Sequence, residues 1–178
     1  MLLRTLLLLR MRRRPPVGIH DVARMRMRVR LIDTDILRHV NNGVYLSLMD
    51  LGRLDLMLRA GAWPRLVAAG VYPVVASSTM SHRKSLRLGR RYDLETRVVG
   101  YDERSVFVEQ RFTVRGEVYA RGVVRGRFLR KTGGTVPIAE LLGLLGPEIR
   151  PFDPPEWVTR WAADVALPSN REPAPTDW

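Results

Sequence analysis

The chain has 178 residues, 46% of them hydrophobic, which is enough for about one domain with a real core. It has no cysteine, which excludes disulfides and thiolate metal sites and points to a reducing, cytoplasmic setting. The net charge of +12 suggests a polyanion partner, but nine arginines against the single acid Asp21 in residues 1–30 account for +8 of it. His20, His39 and His82 have no ligand-like spacing, so neither a metal nor another cofactor is expected.

Residues 1–20 form a basic N-terminal arm. Its apolar run, "LLRTLLLLRM", is interrupted by Arg4 and is far short of the ~20 residues that cross a bilayer. It has no small-residue cleavage site behind the apolar run. A loosely attached arm is the expected reading; weak contact with a membrane surface, or a targeting role such as an Arg-rich, acid-poor organelle presequence, is the alternative. The main domain spans 21–131. It opens with "ARMRMRVR", residues 23–30, where Ala23, Met25, Met27 and Val29 alternate with four arginines. That is a strand with one buried face.

"DTDILRHVNN" follows, and then a helix expected over about 42–60, ended by Gly61. Asn41 or Asn42 can cap it. Apolar residues lie almost all round this helix, from Val44 to Leu58, so other structure must wrap it. Asp50 would be costly on it unless paired, and Arg53 is the obvious partner; a second functional acid is the other reading.

From Val71 onward the chain reads as strands. Tyr92, Leu94, Thr96 and Val98 share a face, as do Val106, Val108, Phe112 and Val114. In "EVYARGVVRGRFLRK" one face is Ala120, Gly122, Val124, Gly126 and Phe128. Glycine weakens a strand unless something approaches closely, and a thick helix across that face would do so. The expected class is α+β: an antiparallel sheet wrapped around one long buried helix.

Residues 132–167 form a C-terminal helical extension. In "DPPEWVTRWAADV" Asp153 is placed to cap, with Glu156 completing a capping box, and Trp157 and Trp161 share a docking stripe. Residues 168–178 read as a flexible tail.

The motif Asp33-Thr34-Asp35, a short loop and then a long helix resembles the hotdog-fold thioesterases of the 4-hydroxybenzoyl-CoA thioesterase-like group. The fuller run "HVNNGVYLSLMDLGRLDLM", with the later "HRKSLRL…LETRVVGYDERSVFVEQRF", is similar to the thioesterase superfamily member six-like group. The resemblance covers about residues 23–131. It implies that Asp35 is the catalytic carboxylate, that a backbone N–H near Asn42 polarises the substrate carbonyl, and that the site forms between two protomers of a homodimer or homotetramer. Plant acyl-carrier-protein thioesterases share Asp35 and His39 but have asparagine where this chain has Leu37. That departure leaves a mechanism of aspartate plus helix terminus intact.

The chemistry is consistent with those residue types. A helix N-terminus offers unpaired N–H groups and a positive dipole end to a developing oxyanion. Gly43 allows a close approach to the backbone. Asp35 can act as general base or as nucleophile. The candidate catalytic set is therefore Asp35, His39 and Asn42, with Asn41, Gly43 and Tyr45 near the substrate and Arg83, Lys84 and Arg87 for its phosphates. Asp33 is expected to be structural, and Tyr45 could equally be core. The expected substrate is an acyl-CoA or acyl-carrier protein. The alternative is a non-catalytic hotdog protein that binds acyl groups or lipid. Specific nucleic-acid recognition is not expected, since no aromatics interleave the arginines.

Overall fold

A computed structural model of the chain describes residues 14–147, 149–168 and 173–176. Most of the basic arm and part of the tail lie outside the described residues. Five strands form one sheet in the order β1-β3-β4-β5-β2, every neighbouring pair antiparallel. They are β1 (Ala23–Arg28), β2 (Val71–His82), β3 (Arg91–Tyr101), β4 (Val106–Val114) and β5 (Glu117–Arg130). Four helices accompany them: α1 (Asn42–Arg59), α2 (Ala62–Ala68), α3 (Ile138–Leu145) and α4 (Glu156–Asp164).

β1 follows its alternation, with Ala23 and Met25 buried and the arginines exposed. β4 and β5 are joined by the two-residue turn Arg115-Gly116, both at positive φ (52° and 83°), the backbone that a tight hairpin requires.

α1 lies across the concave face of the sheet. Leu48 and Met49 are wholly buried among Leu94, Phe112, Ala120 and Val124. Small residues on both partners let helix and sheet approach. A Cβ on Gly122 of β5 would come within 2.7 Å of Met49 Cε, and one on Gly52 of α1 within 2.5 Å of Gln110 Nε2. The expected reason for glycine in β5 is thus present at Gly122. The wrapping of α1 is incomplete, however: Leu46 and Asp50 stay exposed, so one flank of the helix is open.

Two expectations need correction. α4 starts at Glu156 with Pro155 at its N-cap and no side-chain cap, so Asp153 closes no capping box. The cause is the proline pair. A residue before proline is driven to extended backbone, which keeps Asp153 and Pro154 out of the helix and leaves Pro155, not Asp153, at the N-cap. Second, α4 docks through Val158 and Ala162, both buried against Val99, Phe107 and Val123 on the outer face of the sheet, with Trp161 packed beside them. Trp157 stays 38% exposed and lies over the Arg121 guanidinium, 4.8 Å from its ring centroid. β4 is consequently buried on both faces, which a one-sided alternation did not show.

Candidate active site

Residues 33–41 fold back on themselves. The Asn41 amide donates to the Asp33 carbonyl at 2.9 Å, Thr34 pairs with Val40, and the Asp35 amide donates to the His39 carbonyl at 2.9 Å. This small hairpin delivers the chain into α1.

Asp33 is buried, and its Oδ2 accepts the Arg30 amide at 2.9 Å. Asp35 is half-buried. Its Oδ1 accepts the amides of Leu37 (2.9 Å) and His39 (3.3 Å). Its Oδ2 has no protein donor among the described residues. Leu37 thus enters through its backbone alone, and its side chain stands in solvent.

At the head of α1 the Asn41 side chain accepts the Gly43 amide at 2.9 Å, and the Asn41 carbonyl accepts the Val44 amide at 2.9 Å. Asn41 is therefore the N-cap. The Asn42 amide has no acceptor among the described residues. Asn42 and Gly43 are both exposed.

His39 is half-buried, and its backbone pairs with Arg87. The neighbouring Val40 amide donates to Leu86 (2.9 Å) and the Leu88 amide to Arg38 (3.1 Å). This ladder brings the far end of the basic run beside the loop. The near end goes elsewhere. Arg83 and Lys84 both bond Glu117 Oε1 at 2.7 Å, beside the turn of the β4–β5 hairpin. Lys84 and Arg83 together hold the Glu117 carboxyl below its ordinary range. The run that looked like one basic cluster is two. Tyr45 is buried, its ring edge-on to His82 and Phe112 at 4.8 and 4.9 Å. Burial pushes its phenol pKa up, opposed by a hydrogen bond from the Leu86 backbone.

A polar chain in the core escaped the sequence reading. Gln110 is fully buried. Its Nε2 donates to the Met49 carbonyl and to Thr96 Oγ1, both at 2.9 Å, and its Oε1 accepts Arg53 Nη1 at 2.8 Å. Arg53 in turn pairs with Asp50. The signal was present: Gln110 is the polar member of the inward series Val106, Val108, Phe112 and Val114. Beside this chain lies an apolar cavity of ≈ 280 Å³ between α1, α2 and the sheet, lined by Leu54, Met57, Leu66, Val108 and Phe128 among others.

The sheet curled around α1, with an aspartate-bearing loop at the helix N-terminus, is a hotdog fold. The sequence profile of the Thioesterase-like superfamily matches residues 29–162, and the chain belongs to that family. It is similar to Protein THEM6 of Danio rerio, 36% identical over 97 residues, covering 54% of this chain and 48% of that protein. It is also similar to Protein THEM6 of Xenopus laevis, 29% identical over 129 residues, covering 72% and 61%. The chain thus spans about half to three fifths of the length of these curated relatives. Among solved structures, the YbaW probable thioesterase from Escherichia coli superposes with a TM-score of 0.64 at 21% identity, covering 68% of this chain and 95% of that one. The BH1999 gentisyl-coenzyme A thioesterase gives 0.61 at 19% identity, covering 67% and 98%.

Proposed function

We propose that the chain hydrolyses an acyl thioester, an acyl-CoA or acyl-carrier protein, at the N-terminus of α1. The observation that carries this reading is Asp35: a half-buried carboxylate with Oδ1 fixed by two backbone amides, one short hairpin away from an unengaged helix-terminal amide. Anchoring one oxygen orients the other without neutralising it. Oδ2 takes a proton from water, and the water oxygen adds to the thioester carbonyl. The oxyanion forms at the Asn42 amide, where the helix dipole favours it. Collapse breaks the C–S bond, and the proton passes to the departing thiolate. Direct attack by Asp35 Oδ2 is the second route to the same products. His39 orients this loop through its pairing with Asp35 and Arg87.

Gly43 has a backbone that substrate can reach, while its own amide serves the cap. Arg87 supplies the phosphate contact, since Arg83 and Lys84 are committed to Glu117. The ≈ 280 Å³ cavity, walled by aliphatic and aromatic side chains, supports an apolar acyl group. The exposed flank of α1 and the free edge of β2 support assembly into a homodimer or larger homo-oligomer, which would complete a site one protomer leaves open. No helix among the described residues is long and apolar enough to cross a membrane, and a cysteine-free chain suits the cytoplasm.

The test is hydrolysis of an acyl-CoA chain-length series by wild type and Asp35→Asn. Asp35→Asn is expected to lower kcat by about 10²–10⁴-fold, the usual share of a general base. An unchanged rate would remove Asp35 from the chemistry. Binding without turnover at every chain length would favour a non-catalytic acyl-binding protein.

A further inference from the structure

Residues 14–20, the described end of the N-terminal arm, are strapped across the C-terminal end of α1. Asp55 is buried, and its two carboxylate oxygens take Arg14 Nη1 and Arg59 Nη1, each at 3.3 Å. A buried carboxylate is costly to leave underpaired, which holds both arginines to it. Arg59 Nε donates to the Pro15 carbonyl at 2.9 Å, and the Val17 amide donates to the Arg59 carbonyl at 3.4 Å. On the other side, His20 Nε2 lies 2.8 Å from the Tyr101 hydroxyl, and the Phe152 ring stands edge-on to both at 5.2 and 5.6 Å. Between these anchors Ile19 is half-buried and lines the ≈ 280 Å³ cavity. Ile19 lies outside residues 29–162, the span of the family profile, so the wall it forms is not one that membership of the family supplies.

The cavity follows the second half of α1, from Asp50 and Arg53, which pair with each other, to Met57. At ~1.5 Å per helical residue, Asp50 lies about 12 Å along α1 from the Asn42 amide, and Met57 about 22 Å. Carbon–carbon bonds of ~1.5 Å at ~111° advance an extended alkyl chain by about 1.25 Å per carbon. About ten carbons therefore reach Asp50, and about eighteen reach Met57. Ile19, Met57 and Leu145 pack against the same core cluster and all line the cavity. Because Val17 bonds Arg59, two residues beyond Met57, Ile19 stands at the far end. The stretch between Asn42 and Asp50 is the flank of α1 that bears Leu46, which the proposed assembly covers, so this route does not require that flank to face water.

We propose that Ile19 sets the acyl-chain length: it ends a channel along α1 for a straight alkyl chain of about 14–18 carbons. The proposal rests on the reading that the thioester carbonyl sits at the Asn42 amide. It commits the substrate to a long-chain acyl group. An aromatic acyl group one ring long would end before Asp50 and leave the cavity unfilled. Each methylene that leaves water for the cavity should strengthen binding about fourfold. One forced against Ile19 should weaken it about tenfold or more, the usual discrimination of an apolar pocket against one methylene too many.

The test is calorimetric binding of non-hydrolysable S-alkyl-CoA thioethers to the full chain, with alkyl chains from about 8 to 22 carbons. In wild type, affinity is expected to rise about fourfold per carbon beyond about ten carbons and to fall beyond about eighteen. Ile19→Ala should move the fall to chains about two carbons longer, and Ile19→Trp should move it to shorter chains by at least as much. Leu144→Ala is the control. Leu144 packs on the same core cluster without lining the cavity, so its removal should leave the length dependence in place. Length dependence that Ile19→Ala leaves unmoved, or that Leu144→Ala moves equally, would overturn the proposal, as would affinity that does not vary with length. Binding needs no turnover, which separates this assignment from the hydrolysis. If no acyl-CoA is cleaved yet Ile19→Ala moves the length dependence, the hydrolysis falls and the role of Ile19 stands. If cleavage depends on Asp35 and the length dependence ignores Ile19, the reverse holds.

Discussion

Asp33 and Asp35 stand one residue apart and meet opposite fates. Asp33 is buried and serves the backbone at Arg30, while Asp35 keeps one oxygen for solvent. The sequence separates them only through a family resemblance; the hairpin supplies the physical difference. Glu109 shows what the sequence could not rank. It is buried, with Arg97 at 3.2 Å, Arg111 at 2.9 Å and Arg121 at 2.6 Å. Burial opposes its ionisation, but hydrogen bonding and charge from Arg111, then Arg121 and Arg97, win, and its pKa is lowered. A lowered folded pKa adds stability that is complete above the ordinary glutamate pKa and is lost as pH falls through the folded value. Glu109→Gln is therefore expected to cost about 1–3 kcal/mol near neutral pH. The gap to wild type should narrow on acidification below about pH 4.5. Urea unfolding at several pH values checks both.

At the scale of elements, the contact between α1 and the sheet and the head of α1 can be tested apart. A methyl on Gly52 would fall 2.5 Å from Gln110 Nε2 and 2.6 Å from Thr96 Oγ1, and the hydrogen bonds of Gln110 to Met49, Thr96 and Arg53 hold both atoms in place. Gly52→Ala is expected to destabilise by about 1–3 kcal/mol, since overpacking there outweighs the gain in helix propensity. On Gly43 the same methyl meets only Asn41 Oδ1, at 3.4 Å. Gly43→Ala should leave stability unchanged or slightly raised and lower kcat/KM, because the proposed reaction needs substrate against that backbone. Thermal melts beside steady-state kinetics distinguish the two variants. A further inward-facing polar residue, Gln110, was legible as an interruption of the β4 alternation. Its partners Met49, Thr96 and Arg53 were not, because they come from α1 and β3.

At the scale of the whole molecule, the sheet ends in two edges, β1 and β2. β2 is twelve residues long and leaves Tyr72 and Val75 half exposed. Long apolar edges invite strand pairing with another chain. A homodimer is the expected solution state, read as twice the chain mass by light scattering. Val75→Lys should shift that mass toward the monomer if assembly runs through this edge; an unchanged mass would move the contact elsewhere.

The sequence by itself determined the order of elements, the inward faces of β1, β3 and β4, the glycine seat for α1 at Gly122 and the helix start at Asn42. Each is a local pattern of period two or period 3.6, or a cap within three residues, so neighbours in the chain suffice to specify it. Only the tertiary structure decided three things. It sent Arg83 and Lys84 to Glu117 and Arg87 to His39. It buried the outer face of the sheet at Phe107 and Val123 under α4. It left the aliphatic turns around Asp35 in water. These depend on which distant segments meet, and a strand can carry one alternation while being covered on one face, on both or on neither.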